Sequence, residues 1–150
     1  MTEKRQLLLE QLNDVVADLL RVYKNMPDPE MMVYELWTAK DILAHLTFWH
    51  ESFARNVRDL AQGTKPTPLK GKLSDLNQAG VDAMAPYSLA VVMERLEVAQ
   101  KTIWDNILSA KIVLIPYRKG SRDYTPDEHL EIVINHISQH LQDVVRVSPS

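Results

Sequence analysis

Four long stretches of helical periodicity, each bounded by its own start or stop signal, constrain this chain more than anything else in it. The first, Glu3 to Lys24, repeats apolar residues at Leu8, Leu12, Val15, Leu19 and Val22. Steps of three and four place such residues on one face of a helix. Asn25-Met26-Pro27-Asp28-Pro29 ends it, because proline has no amide hydrogen and clashes with the preceding turn. The second opens at Thr38, with Asp41 as a box-like N-terminal signal. Its core face is Ile42, Leu46, Trp49, Phe53, Val57 and Leu60, and Gly63 with the Pro66/Pro68 pair stops it. The third runs from Ser88, an N-cap candidate, to Ser109, with Leu89, Val92, Leu96, Ala99, Ile103 and Ile107 on its face. The fourth begins at Thr125-Pro126-Asp127-Glu128, where Thr125 can cap, Pro126 suits the first turn and Glu128 completes the box. It continues to about Arg146 with Leu130, Ile134, Ile137, Leu141 and Val144 facing inward.

Four amphipathic helices of this length predict an all-α four-helix bundle, with residues 1–150 forming one domain. The connection from Gly63 to Tyr87 holds a short helix at Ser74–Met84. It is long enough to cross a bundle ~30 Å in length. A crossover there makes helices two and three parallel and helices two and four antiparallel, an up-down-down-up order. From Lys111 to Tyr124 two readings stand: Ile112–Ile115 is a short extended piece, or a frayed continuation of helix three.

The hydrophobic share is 45%, which suits a folded core and excludes disorder. The net charge is -3, so no basic excess draws the chain to nucleic acid or an anionic membrane. No run reaches the ~18 apolar residues of a membrane span. The N-terminal stretch mixes charges and does not read as a signal peptide. Cysteine is absent, which fits a cytoplasmic location. Disulfides are excluded, and any metal must take nitrogen or oxygen ligands.

Chemistry concentrates in the histidines. His136 and His140 are four apart, so on a helix they stack ~6 Å apart along the axis, a spacing with which two imidazoles grip one ion. His129 lies on the same stripe. The remaining histidines, His45 and His50, sit on opposite shoulders of helix two, and periodicity alone does not choose between them. Axial level does, given a topology. Antiparallel helices two and four bring His45 level with the pair, and a parallel arrangement brings His50. The long connection supports the first, so the expected ligands are His45, His136 and His140. Three neutral imidazoles leave positions open on zinc, nickel or a similar divalent ion, as in catalytic sites. Asp41 is a candidate partner for a ligand and Trp49 a candidate pocket wall, although a first-turn carboxylate and a core indole explain both. His50 and His129 are expected to be partly exposed, and Tyr117–Arg122 to be a solvated basic loop.

Trp37-Thr38-Ala39-Lys40-Asp41-Ile42-Leu43-Ala44-His45-Leu46 with Trp49, and His136-x3-His140, resemble the DinB-like superfamily of four-helix bundles. The resemblance spans nearly the whole chain. It implies a crossover between helices two and three, and a divalent metal on one histidine of helix two and the H-x3-H pair of helix four. These positions correspond to His45, His136 and His140. Many members carry glutamine three residues after the last histidine, where this chain has Asp143. Asp75-Leu76-Asn77 and Pro86-Tyr87-Ser88 also resemble the ClbS/DfsB branch, which includes self-resistance proteins that open a cyclopropane by hydrolysis without needing the metal.

The leading expectation is a metal-binding enzyme that performs thiol-dependent transfer or metal-assisted hydrolysis of a small molecule. Any thiol is a low-molecular-weight cofactor, since the chain has no cysteine. The alternatives are a metal-independent ClbS/DfsB-type hydrolase and a small-molecule resistance or binding protein without turnover. The resemblance also implies a homodimer, with Trp104 and residues 64–86 as candidates for burial.

Overall fold

The computed structural model describes residues 2–148. Five helices follow one another: α1 (Thr2–Lys24), α2 (Ala39–Ala61), α3 (Leu73–Met84), α4 (Leu89–Asn106) and α5 (Pro126–Val147). The long helices expected from periodicity are α1, α2, α4 and α5, and the short one in the connection is α3. Both capping boxes form, Thr38 with Asp41 ahead of α2 and Thr125 with Glu128 ahead of α5. Each satisfies backbone donors that the first turn would otherwise leave bare.

Side-chain pairs fix the directions. His45 meets His136 and His140, while Phe53 further along α2 stacks on His129, so α2 and α5 are antiparallel. Lys40 reaches the Ala85 carbonyl and Glu51 pairs with Arg95, so α2 and α4 run the same way. Arg5 meets Asp127 at the N-terminal ends of α1 and α5. Tyr23, late in α1, donates its hydroxyl to the carbonyl of Ala39 at the start of α2. The order is up-down-down-up, with α3 within the crossover.

Packing is uneven around the bundle. α2 lies along α4 and α1 along α5, whereas α2 and α5 touch sparsely. The seam between α2 and α5 is therefore open for a site. On α1 the buried stripe is Leu9, Leu12, Val16, Leu19 and Tyr23, a rhythm of three and four. The Val15 and Val22 of the expected face lie beside this stripe and are only half-buried. After Asn106 the helix is not continued. Ile115 pairs with Tyr124 in an isolated antiparallel bridge, and Leu69 with Arg118 in a parallel one. Ile112–Ile115 is thus no continuation of the helix but an irregular segment that bends at Val113 and pairs at Ile115 alone, anchored by buried Ile112 and Ile115, and the two loops form a strap beside the seam. No described helix is long and apolar enough to cross a membrane.

Gly80 is where α3 meets α2. A Cβ there would stand 2.6 Å from Cγ of Phe48 and 2.8 Å from its Cβ. Because the Phe48 Cβ itself is in the way, no rotamer of that side chain relieves the contact. Gly80→Val is expected to cost ~2–3 kcal/mol of stability, by the overpacking it forces. Urea unfolding measures this, and an unchanged midpoint would show that α3 can shift freely on α2.

Candidate metal centre and adjoining cavity

His45 projects from the second turn of α2 into the seam, and His136 and His140 project from α5 one turn apart. The Nε2 of His136 lies 3.2 Å from Nε2 of His45 and 3.1 Å from Nε2 of His140. One ligand atom from each residue falls within 4.8 Å of the others. A neutral Nε2 carries either one hydrogen or one in-plane lone pair. The His136 nitrogen can therefore hydrogen-bond one neighbour well and not both. An ion suits all three: bonds of ~2.0–2.1 Å at tetrahedral angles put ligand nitrogens ~3.3 Å apart.

The charge state agrees. Burial pushes His45 down to about 3, and the proximity of His136 and His140 adds to it. His136 falls to about 4, first by burial and then by His140. His140 is lowered by burial and opposed by Asp143. Neutral imidazoles are the form that donates a lone pair.

A second layer orients the cluster. The Tyr34 hydroxyl donates to Oδ2 of Asp143 at 2.6 Å and lies 2.8 Å from Nδ1 of His140. Its only proton is used on the carboxylate, so Nδ1 of His140 must be the donor to Tyr34. That assignment of the tautomer leaves the Nε2 lone pair directed into the cluster. The Tyr34 hydrogen bond in turn holds the Asp143 carboxyl below the usual range. The Trp37 ring lies 4.9 Å from that of His45 and covers one side. Tyr34→Phe is expected to weaken metal binding ~10–100-fold without unfolding the chain, as loss of an orienting partner does. A competition titration against a chromophoric chelator measures it, and unchanged affinity would remove Tyr34 from the centre.

Asp41 takes the simpler of its two expected roles. Its carboxylate accepts the Thr38 amide at 3.0 Å, its own amide is capped by Thr38, and no hydrogen bond joins it to His45 among the described residues.

His136 also lines a cavity of about 190 Å³ between α2, α5 and the strap. Here two expectations fail. His50 and His129 are buried, at 2% and 3% exposure. Sitting on the shoulders of their helices exposes them only if the neighbouring seam is open to water, and the strap closes it. Nε2 of His50 pairs with Oε1 of Gln100 at 2.8 Å, and His129 stacks on Phe53 at 4.2 Å between centroids. Burial pushes both down to about 4. Tyr117 is likewise no solvated loop residue. It stacks on Trp49 at 5.0 Å and 12°, while Trp49 donates to Asn77 at 2.8 Å. Trp49, expected as a core indole with a pocket wall as its other role, is buried and lines the cavity. The strap's Arg118 donates to the carbonyl of Gly71, and Arg122 pairs with Glu128.

Residues 34–107 match the family described as the mycothiol maleylpyruvate isomerase N-terminal domain. Among curated proteins none matches the chain. Among solved structures, the crystal structure of the mycothiol-dependent maleylpyruvate isomerase superposes with a TM-score of 0.71 at 12% identity. The match covers 99% of this chain and 62% of that one. A histidine-to-alanine mutant of that enzyme superposes with a TM-score of 0.72 at 12% identity, over 96% of this chain and 60% of that chain. The chain thus spans about three fifths of the length of these structures. The likeness shows the fold, which is all-helical and DinB-like.

Proposed function

We propose that this chain is a divalent-metal enzyme acting on a small molecule with a low-molecular-weight thiol as cofactor. Its ligands are His45, His136 and His140, its metal zinc or nickel, and residues 1–150 act as one cytoplasmic domain. The observation that carries the reading is the convergence of three neutral Nε2 atoms at spacings an ion would satisfy and hydrogen bonds would not. The isomerase likeness favours a reaction in which the thiol adds to the substrate and leaves again. Thiol transfer and metal-assisted hydrolysis belong to the same reading. A homodimer is carried with it, on the superfamily resemblance.

The bound ion would supply a Lewis acid that holds a thiol as its nucleophilic thiolate. The chain's own residues do the rest. Tyr34 and Asp143 hold His140 in its ligating tautomer. Trp37 and the buried position of His45 keep water from one side. Trp49 and Tyr117 wall the adjoining cavity, which offers the substrate a place next to His136. The chain has no thiol of its own to compete.

The test is turnover of a panel of small electrophiles by metal-loaded protein, with and without an added small thiol. Activity requiring both metal and thiol supports the reading. Thiol consumed in step with product indicates transfer, and thiol recovered unchanged indicates isomerisation. A second reading, the metal-independent ClbS/DfsB-type hydrolase, is favoured by the polar side chains that face the cavity away from the cluster. Activity that survives exhaustive chelation would establish it in place of the first.

A further inference from the structure

Four polar side chains line the cavity beside the cluster, and all are buried: His50, Ser52, Asn56 and His129. Their hydrogen-bonding capacity is mostly unused. Asn56 donates its amide to the carbonyl of Pro116 at 3.2 Å, and its side-chain oxygen accepts no hydrogen bond among the described residues. Ser52 donates and accepts no side-chain hydrogen bond among the described residues, and Nδ1 of His129 is buried without a hydrogen-bond partner of good geometry. Folded proteins rarely leave a buried polar atom such as Nδ1 of His129 without water or a ligand to satisfy it. The remaining walls are aromatic and aliphatic, and no lysine, arginine, aspartate or glutamate is among the lining residues.

We infer that this cavity binds a neutral, largely apolar molecule of about one ring, which exchanges hydrogen bonds with Ser52, Asn56 and His129 and presents its reactive end to His136. Size supports this: the cavity is about 190 Å³. One of about 150 Å³ already accepts benzene. Charge supports it as well. In the metal-free chain a carboxylate in this lining would lose its hydration with no cation to replace it, so the unloaded cavity selects against anions. Ile132 lines the cavity yet is 40% exposed, so the opening to solvent lies at its side chain.

The inference deepens the enzymatic reading through the shared His136, but occupancy of the cavity does not need the metal. The probes are benzamide and benzoate, nearly equal in shape and different in charge. Each is titrated calorimetrically into the full chain freed of metal. Benzamide is expected to bind saturably, and benzoate at least about tenfold more weakly, a difference of ~1.4 kcal/mol. Ile132→Trp, which blocks the mouth from a half-exposed position, should weaken benzamide at least about tenfold. His129→Phe should weaken benzamide while sparing toluene, which has no polar group to lose. Circular dichroism checks that both variants fold. Benzoate binding as well as benzamide would overturn the inference. So would benzamide binding that ignores Ile132→Trp, or the absence of any saturable binding, the cavity then holding water only. His45→Ala is expected to leave benzamide affinity within about twofold. Metal retained without ligand binding would fail the cavity alone, and ligand binding in a chain that never holds metal would fail the metal reading alone.

Discussion

His136→Ala should empty the metal centre. In tag-free protein purified without chelators or a nickel column, elemental mass spectrometry is expected to find near one equivalent of zinc or nickel. In the variant it should find less than about a tenth of that. His136 is the central member, its Nε2 within 3.2 Å of both other ligand nitrogens. Without it His45 and His140 remain, with ring centroids 5.2 Å apart and no third nitrogen to close the set. Two imidazoles on separate helices hold a divalent ion far more weakly than three. His45→Ala and His140→Ala should behave alike, whereas His50→Ala and His129→Ala should keep their metal. Stability provides a second readout, since an ion at a hundred times its dissociation constant adds ~2.7 kcal/mol to folding. Added zinc should therefore raise the melting temperature of the native chain and leave that of His136→Ala where it was. Full metal content in His136→Ala would sink the ligand assignment.

The bundle was legible because its signals are local. Thr38 with Asp41 and Thr125 with Glu128 declare helix starts within four residues of sequence, and the apolar rhythm of α2 and α5 declares which faces turn inward. The H-x3-H pair is equally local. His45 required one long-range inference, the crossover, and a connection as long as Gly63–Tyr87 carried it. What failed to show is what depends on two distant segments meeting. Tyr34 sits in the irregular stretch between α1 and α2, where no periodicity points its side chain anywhere. It nonetheless reaches across 106 residues of sequence to His140. Asp143 was visible only as a departure from the glutamine common in the superfamily, and its partner supplies the physical account. His50 and His129 were expected to be wet because helix wheels treat a shoulder as surface. The strap carrying Tyr117 is held by isolated bridges, Leu69 to Arg118 and Ile115 to Tyr124, that no sequence pattern announces. With the strap in place, the open seam between α2 and α5 becomes a largely apolar cavity that holds buried polar side chains.

That enclosure makes the protein sensitive to acid in a calculable direction. His50 and His129 drop from the ordinary 6.5 to about 4 on folding, burial being the main cause for each. The unfolded chain therefore takes up their protons first as pH falls. Stability from these two is full above pH 6.5, declines through the window down to about 4, and levels below it. Each contributes on the order of 3 kcal/mol across that window. The slope approaches ~2.7 kcal/mol per pH unit for the two protons together. In metal-free protein the depressed His45, His136 and His140 act in the same direction. The depressed carboxyl groups of Glu128 and Asp143 enter only in more acid solution, so the range from 6.5 to 5 reports the histidines. A total of several kcal/mol matters against a native stability of ~5–15 kcal/mol. Urea unfolding of chelated protein from pH 7.5 down to pH 5 is expected to show a falling midpoint with a nearly unchanged m-value. His129→Phe keeps a ring against Phe53 and removes one titrating group, so its slope should be shallower by ~1.4 kcal/mol per pH unit. An identical slope in that variant would mean that His129 is not held neutral by the fold, and the cavity would then have to be wetter than its walls indicate.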